Sequence, residues 1–188
     1  MPVLGIVASQ ISGHLFAPSG AYDSIATASG TGSSGTITFS SIPSTYTHLQ
    51  IRAIARESYP SSQFNMRFNS DTGANYSWHT IYGTGATVGV DSFASSTAIG
   101  TYGLAFSSLT AGILSPHIID ILDYANTNKY KTTRTLGGFD ANGSGEQGLF
   151  SGLWMNTSAI TSIDLITTGV SAYWTTDTRF ALYGIKGN

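Results

Sequence analysis

The run Asp140-Ala141-Asn142-Gly143-Ser144-Gly145-Glu146 sets oxygen side chains at alternate positions with glycine at the sixth, the pattern that opens a calcium-binding loop. Such a loop needs a bidentate glutamate at its twelfth position, and Ser151 stands there. A hairpin turn uses the same residues, because Asp and Asn bond their own backbone and Gly accepts a positive φ, and a hairpin is the expectation. Asp120 and Asp123, in Ile118-Ile119-Asp120-Ile121-Leu122-Asp123, are the carboxylates set in an apolar run. Two acids serve a glycosidase when they flank a sugar at about 5 to 10 Å. Residues three apart on a strand face opposite sides, however. Asp120 shares a face with Ile118 and Leu122, and an ion pair with Arg134 on a following strand is expected.

His14, His48, His79 and His117 are scattered, without the H-x-H or H-E-x-x-H spacing that places two imidazoles on one metal, and read as surface or satisfied strand residues. No G-x-S-x-G elbow anchors a hydrolase triad among the many serines. Gly83-Thr84-Gly85-Ala86-Thr87-Val88 departs from G-x-G-x-x-G at its last position and precedes no helical pattern, so it does not cradle a phosphate. Tyr76, Trp78, Tyr82, Trp154 and Trp174 have flat rings suited to a sugar or protein surface, and their spacing suits core packing at least as well. Asn75, Asn142 and Asn156 sit in N-x-S/T triplets, as chance provides in a Ser/Thr-rich chain.

The elements that must position these groups read as β throughout. Thr36 to Phe39 alternates after the Gly/Ser stretch 30–35. Leu49, Ile51, Ala53 and Ala55 share one face of a long strand, and His48, Gln50, Arg52 and Arg56 share the other. Phe64, Met66 and Phe68 alternate with polar residues and end at the turn Ser70-Asp71-Thr72-Gly73. Tyr76 to Tyr82 follows at period two, and 83–100 reads as a glycine-spaced loop. Further strands are predicted at 102–106, 113–122, 131–139 and 149–155, then at Ile163 to Leu165 and Phe180 to Ile185, the last closing the domain. About ten strands, no helical period and no repeat of 20 to 50 residues predict an all-β fold, a two-sheet antiparallel jelly-roll-like β-sandwich.

Composition narrows the function classes. Only 10% of the 188 residues are charged, against the roughly 25% usual in soluble domains. A formal net charge of −2 and a pI near 6.0 supply no basic field for a phosphate backbone, so nucleic acid is not an expected partner. With no cysteine there is no disulfide framework, thiol nucleophile or Cys-ligated metal. Before Arg52 the only charged side chain is Asp23, which does not resemble a signal peptide, and no apolar run is long enough to span a membrane. A soluble protein made in the cytosol is expected, without cofactor or metal.

Residues 1–21 carry Val3, Leu4, Ile6, Val7, Ile11, Leu15 and Phe16 among Ser, Gly and Pro in no clear period. They read as an arm, too apolar for a solvated linker, which packs on its own domain or docks on a neighbour. The sandwich domain is expected over 22–188.

Three runs carry a family resemblance: Met66-Arg67-Phe68-Asn69-Ser70-Asp71-Thr72-Gly73-Ala74-Asn75-Tyr76, Asp120-Ile121-Leu122-Asp123-Tyr124-Ala125-Asn126-Thr127-Asn128-Lys129, and Ile160 to Ile163 together with Phe180-Ala181-Leu182-Tyr183-Gly184-Ile185-Lys186. With them the chain resembles a group of tailed-bacteriophage virion proteins. The resemblance implies a jelly-roll sandwich, often a homotrimer. It implies a place on the virion as a capsid decoration (cement) protein bound to the major capsid protein, or in the tail as a fibre or baseplate component that meets host surface glycans. It brings no catalytic residue. The expected function is therefore a non-enzymatic decoration protein that stabilises the shell, with the seven apolar arm residues helping to dock it. A tail-fibre module is the alternative, and a polysaccharide depolymerase a more distant one.

Overall fold

A computed structural model describes residues 21–187, and they form twelve strands and no helix. In chain order these are β1 (Tyr22–Ser29), β2 (Thr36–Phe39), β3 (His48–Ala55), β4 (Phe64–Phe68), β5 (Tyr76–Gly83), β6 (Val88–Ser96), β7 (Ile99–Thr101), β8 (Ser115–Leu122), β9 (Lys131–Asp140), β10 (Gly145–Trp154), β11 (Ile163–Thr167) and β12 (Arg179–Ile185). Two antiparallel sheets result, one of eight strands in the order β1-β12-β3-β8-β9-β10-β5-β6 and one of four in the order β2-β11-β4-β7. The chain passes from one sheet to the other at every connection except β5 to β6, β8 to β9 and β9 to β10. That is the alternation of a jelly roll, here with a three-strand meander β8-β9-β10 inserted in the large sheet.

Alternation explains the sandwich. Leu49, Ile51, Ala53 and Ala55 point inward from β3, and Ile119 and Ile121 from β8. They meet Phe64, Met66 and Phe68 of β4 and Ile163 and Leu165 of β11, all buried. Trp154, Trp174 and Tyr76 fill the largest spaces. Trp174 lies edge-on to Phe64 and Phe180 at 5.9 and 5.1 Å, and Trp154 stacks near Tyr76 at 6.3 Å.

Polar struts close the ends of the sandwich. Lys131 is fully buried, and its ammonium donates to the carbonyls of Asn126 (2.5 Å), Lys129 (2.8 Å) and Thr157 (3.0 Å), tying two loops to the start of β9. The Arg56 guanidinium binds the carbonyls of Leu109, Thr110 and Ile113 at 2.7 to 2.9 Å, so the loop before β8 wraps one cation. The Tyr124 hydroxyl donates to the Pro43 carbonyl.

Two predicted segments differ. The stretch 83–100, read as a loop, contains β6 and most of β7. β6 lies at an edge of the large sheet with no buried residue, so it shows no inward apolar face. Residues 102–106, read as a strand, run as irregular chain because Gly103 adopts φ +74° where it crosses the backbone of Gly138.

Candidate docking surface

The outer face of the large sheet carries an uninterrupted cross-strand row of aliphatic side chains. Ile118 of β8 is in register with Leu136 of β9, Leu136 with Leu149 of β10, Leu149 with Ile81 of β5, and Ile81 with Val90 of β6. Ile118, Leu136, Leu149 and Ile81 each stand next to a buried residue, as Leu149 does to Phe150 at 1% exposed, and Val90 lies between the half-buried Gly89 and Asp91. The five are 42, 57, 51, 50 and 72% exposed in that order. Four strand spacings of about 4.8 Å make the row roughly 19 Å long. Isolated exposed aliphatics are ordinary, whereas a contiguous row is the signature of a surface meant to be covered.

A second row beside it is polar: Asp120, Arg134, Ser151, His79 and Ser92. Two shallow hollows flank the ridge, of 330 and 280 Å³, and both are lined by Ile81 and Leu149. The larger also takes in Val88 and Leu136, the smaller Arg134 and Ser151. At the far end of the ridge a 590 Å³ cleft opens over Ile54, Pro116, Ile118 and Phe180, between Arg52 and Arg179. The Arg52 guanidinium lies 5.5 Å from the Tyr22 ring centre and 5.7 Å from that of Tyr183, and its Nε donates to Gln50 at 2.9 Å.

The structure reassigns several groups singled out in the sequence. Asp120 faces Arg134 in register, but no ion pair forms between them: Asp120 accepts from Gln50 Nε2 at 2.8 Å, while Arg134 donates to Ser151 Oγ at 2.7 Å. The Gln50 amide is the closer donor and, itself almost buried, needs a partner. Asp123 lies beyond β8 and binds Lys129 at 2.8 Å, which holds its carboxyl below the usual range. Asp140 to Glu146 forms the β9–β10 hairpin, with Asn142 N donating to Asp140 Oδ1 at 2.8 Å. Tyr76, Trp78, Trp154 and Trp174 are core residues and cannot offer their faces to a sugar. His48 accepts from the Asp123 amide, His79 is exposed on the polar row, and His117 is buried. Burial pushes the His117 pKa down to about 4. His14 and the arm residues Val3, Leu4, Ile6, Val7, Ile11, Leu15 and Phe16 lie outside the described residues.

Other acids gather elsewhere. Ser62, Tyr82, Asp91, Tyr102 and Glu146 line a 170 Å³ hollow at the inner side of the β5–β6 hairpin. Burial raises the Glu146 pKa, and its Oε1 has no hydrogen-bond partner. Glu57, where the chain leaves β3, is fully buried with neither carboxylate oxygen partnered. Burial pushes its pKa up to about 8; the Thr168 backbone approaches without completing a hydrogen bond and offsets only part of this. No group of three or more His, Asp or Glu able to hold a metal ion occurs among the described residues.

The fold is a jelly-roll-like β-sandwich whose large sheet presents an exposed aliphatic ladder on its outer face. No protein-family model, curated protein or solved structure matches the chain.

Proposed function

We propose that the chain is a structural subunit of a phage virion, a capsid decoration protein that binds the outside of the shell and stabilises it without catalysis. The ladder Ile118–Leu136–Leu149–Ile81–Val90 carries this reading: a rigid two-sheet body presenting an aliphatic face is suited to being packed into an assembly. The resemblance of 66–76, 120–129 and 180–186 to virion proteins supplies the setting. In the structure these runs are the β4–β5 turn, the end of β8 with its following loop, and β12; all shape the sandwich and none lines a cleft with paired acids. Mass spectrometry of purified particles of the encoding phage, with a density map of the intact particle, tests the proposal. Hundreds of copies on the shell are expected. Absence from the particle would sink it.

The tail-fibre alternative rests on the hollow of Tyr82, Tyr102, Asp91, Glu146 and Ser62, which combines rings and carboxylates as sugar sites do. A copy number of a few dozen, with glycan binding lost in Asp91→Asn, would favour it over decoration.

A further inference from the structure

The reading of the chain as an assembly subunit leaves open what covers the ladder. We infer that a second copy of this chain does, through an isologous contact of large sheet on large sheet centred on Leu149.

Area is the first argument. At their fractional exposures the five ladder residues present on the order of 500 Å², near the upper end for one patch on a monomer. Val88, 75% exposed beside the ladder, and the flanking polar row extend the face to roughly the 800 Å² per partner of a standard interface.

Shape is the second. The ladder is a ridge one side chain wide, with the two hollows at its sides. A ridge bordered by its own hollows is complementary to itself, and a two-fold axis satisfies both sides at once. Packed sheets keep their strands within about 30° of each other, and because the ladder runs across the strands, aligned stacking lays one ladder along the other. Leu149 is the middle of the five, so a two-fold axis through the centre brings it beside its own copy.

Charge is the third. The ladder is neutral, so closing the contact buries no unpaired ion at its centre. The polar row carries both signs, Asp120 and Arg134, and two such rims do not repel as single-signed rims would.

Sedimentation of the full chain across the micromolar range tests this. A dimer is expected, and Leu149→Lys should weaken it at least about tenfold while circular dichroism stays unchanged and the melt stays cooperative, since position 149 is exposed. The chain has no cysteine, so Leu149→Cys supplies one thiol per copy for a short bis-maleimide. Efficient cross-linking at 149, and little with Asp177→Cys on an exposed loop, is the expected result. A monomer at all concentrations would overturn the inference, as would a dimer indifferent to Leu149→Lys, a trimer that does not cross-link at 149, or dimerisation only after residues 1–20 are deleted. The functional reading stands or falls separately. A Leu149-dependent dimer absent from particles removes the virion role alone, and a particle-bound chain monomeric in solution removes this contact alone.

Discussion

Trp154 Nε1, on β10 in the large sheet, donates to Asp71 Oδ2 in the β4–β5 turn at 2.7 Å, so one indole pins a connection between the two sheets. Asp71 also accepts from Gly73 N at 2.8 Å and Asn75 Nδ2 at 2.9 Å. The Trp154 bond leads in holding its carboxyl below the usual range. Asp71→Ala should destabilise the domain by about 2 to 3 kcal/mol, because it removes charge-assisted bonds and leaves a buried indole N–H unpaired. A group with a lowered folded-state pKa contributes stability that is present above its unfolded value of 3.8 and lost as pH falls through the folded one. The acid limb of the wild-type stability profile should therefore be shallower in Asp71→Ala, the remainder belonging to other lowered carboxyls such as Asp123, and denaturant titrations between pH 2 and 5 would read it.

Lys131→Met should cost about 3 kcal/mol although Met has a similar length and no charge to bury. The substitution removes one donor from three carbonyls at once, and those of Asn126, Lys129 and Thr157 lose their common partner. A lowered urea midpoint at unchanged slope is the expected reading. A midpoint within experimental error of wild type would show that water replaces the ammonium.

Glu57 sets an alkaline limit. Its folded-state pKa of about 8 lies above the ordinary 4.5, so the folded protein holds an extra proton between these values and stability falls as pH rises through that window. His117 acts with the opposite sign. Lowered from 6.5 to about 4, it makes stability rise with pH across that range. The two oppose each other between roughly pH 4.5 and 6.5, and from there to about 8 His117 no longer offsets the Glu57 decline. Glu57→Gln should flatten the decline, a difference of a few kcal/mol at pH 8 relative to pH 6. Melting curves at the two values measure it.

Deleting residues 180–188 should abolish folding. β12 lies inside the large sheet with β1 on one side and β3 on the other, and Phe180 and Leu182 are buried. Its loss strands β1 and opens the core. A soluble truncated chain with a cooperative melt would contradict the strand order.

Much of the fold was legible because inward alternation is a local signal. Leu49 to Ala55, Phe64 to Phe68 and Tyr76 to Thr80 each show their buried face in the sequence. β6 was not legible: Val88, Val90 and Phe93 are exposed, and Gly89 lies where the Tyr82 ring leaves no room for a Cβ. The ladder was invisible for a different reason. Strand period puts Ile118 on one face with Asp120, but nothing local says that Leu136, Leu149 and Ile81 fall into line with it. That depends on the register of four strand pairs, which tertiary structure alone fixes. The Asp120–Arg134 pair failed because register places backbones, while hydrogen-bond competition from Gln50 and Ser151 places side chains.

The position of β12 also governs the order in which the chain can fold as it leaves the ribosome. β1 precedes the other strands, yet among the described residues its sole sheet neighbour is β12, whose last residue is Ile185. At a translation rate of about 5 to 20 residues per second, β1 waits roughly ten to thirty seconds for its partner. Throughout that interval the nascent polypeptide can assemble the β8-β9-β10 meander but cannot complete the large sheet. Completion of the large sheet therefore waits for β12, and it is in this interval that a chaperone would have most effect on yield.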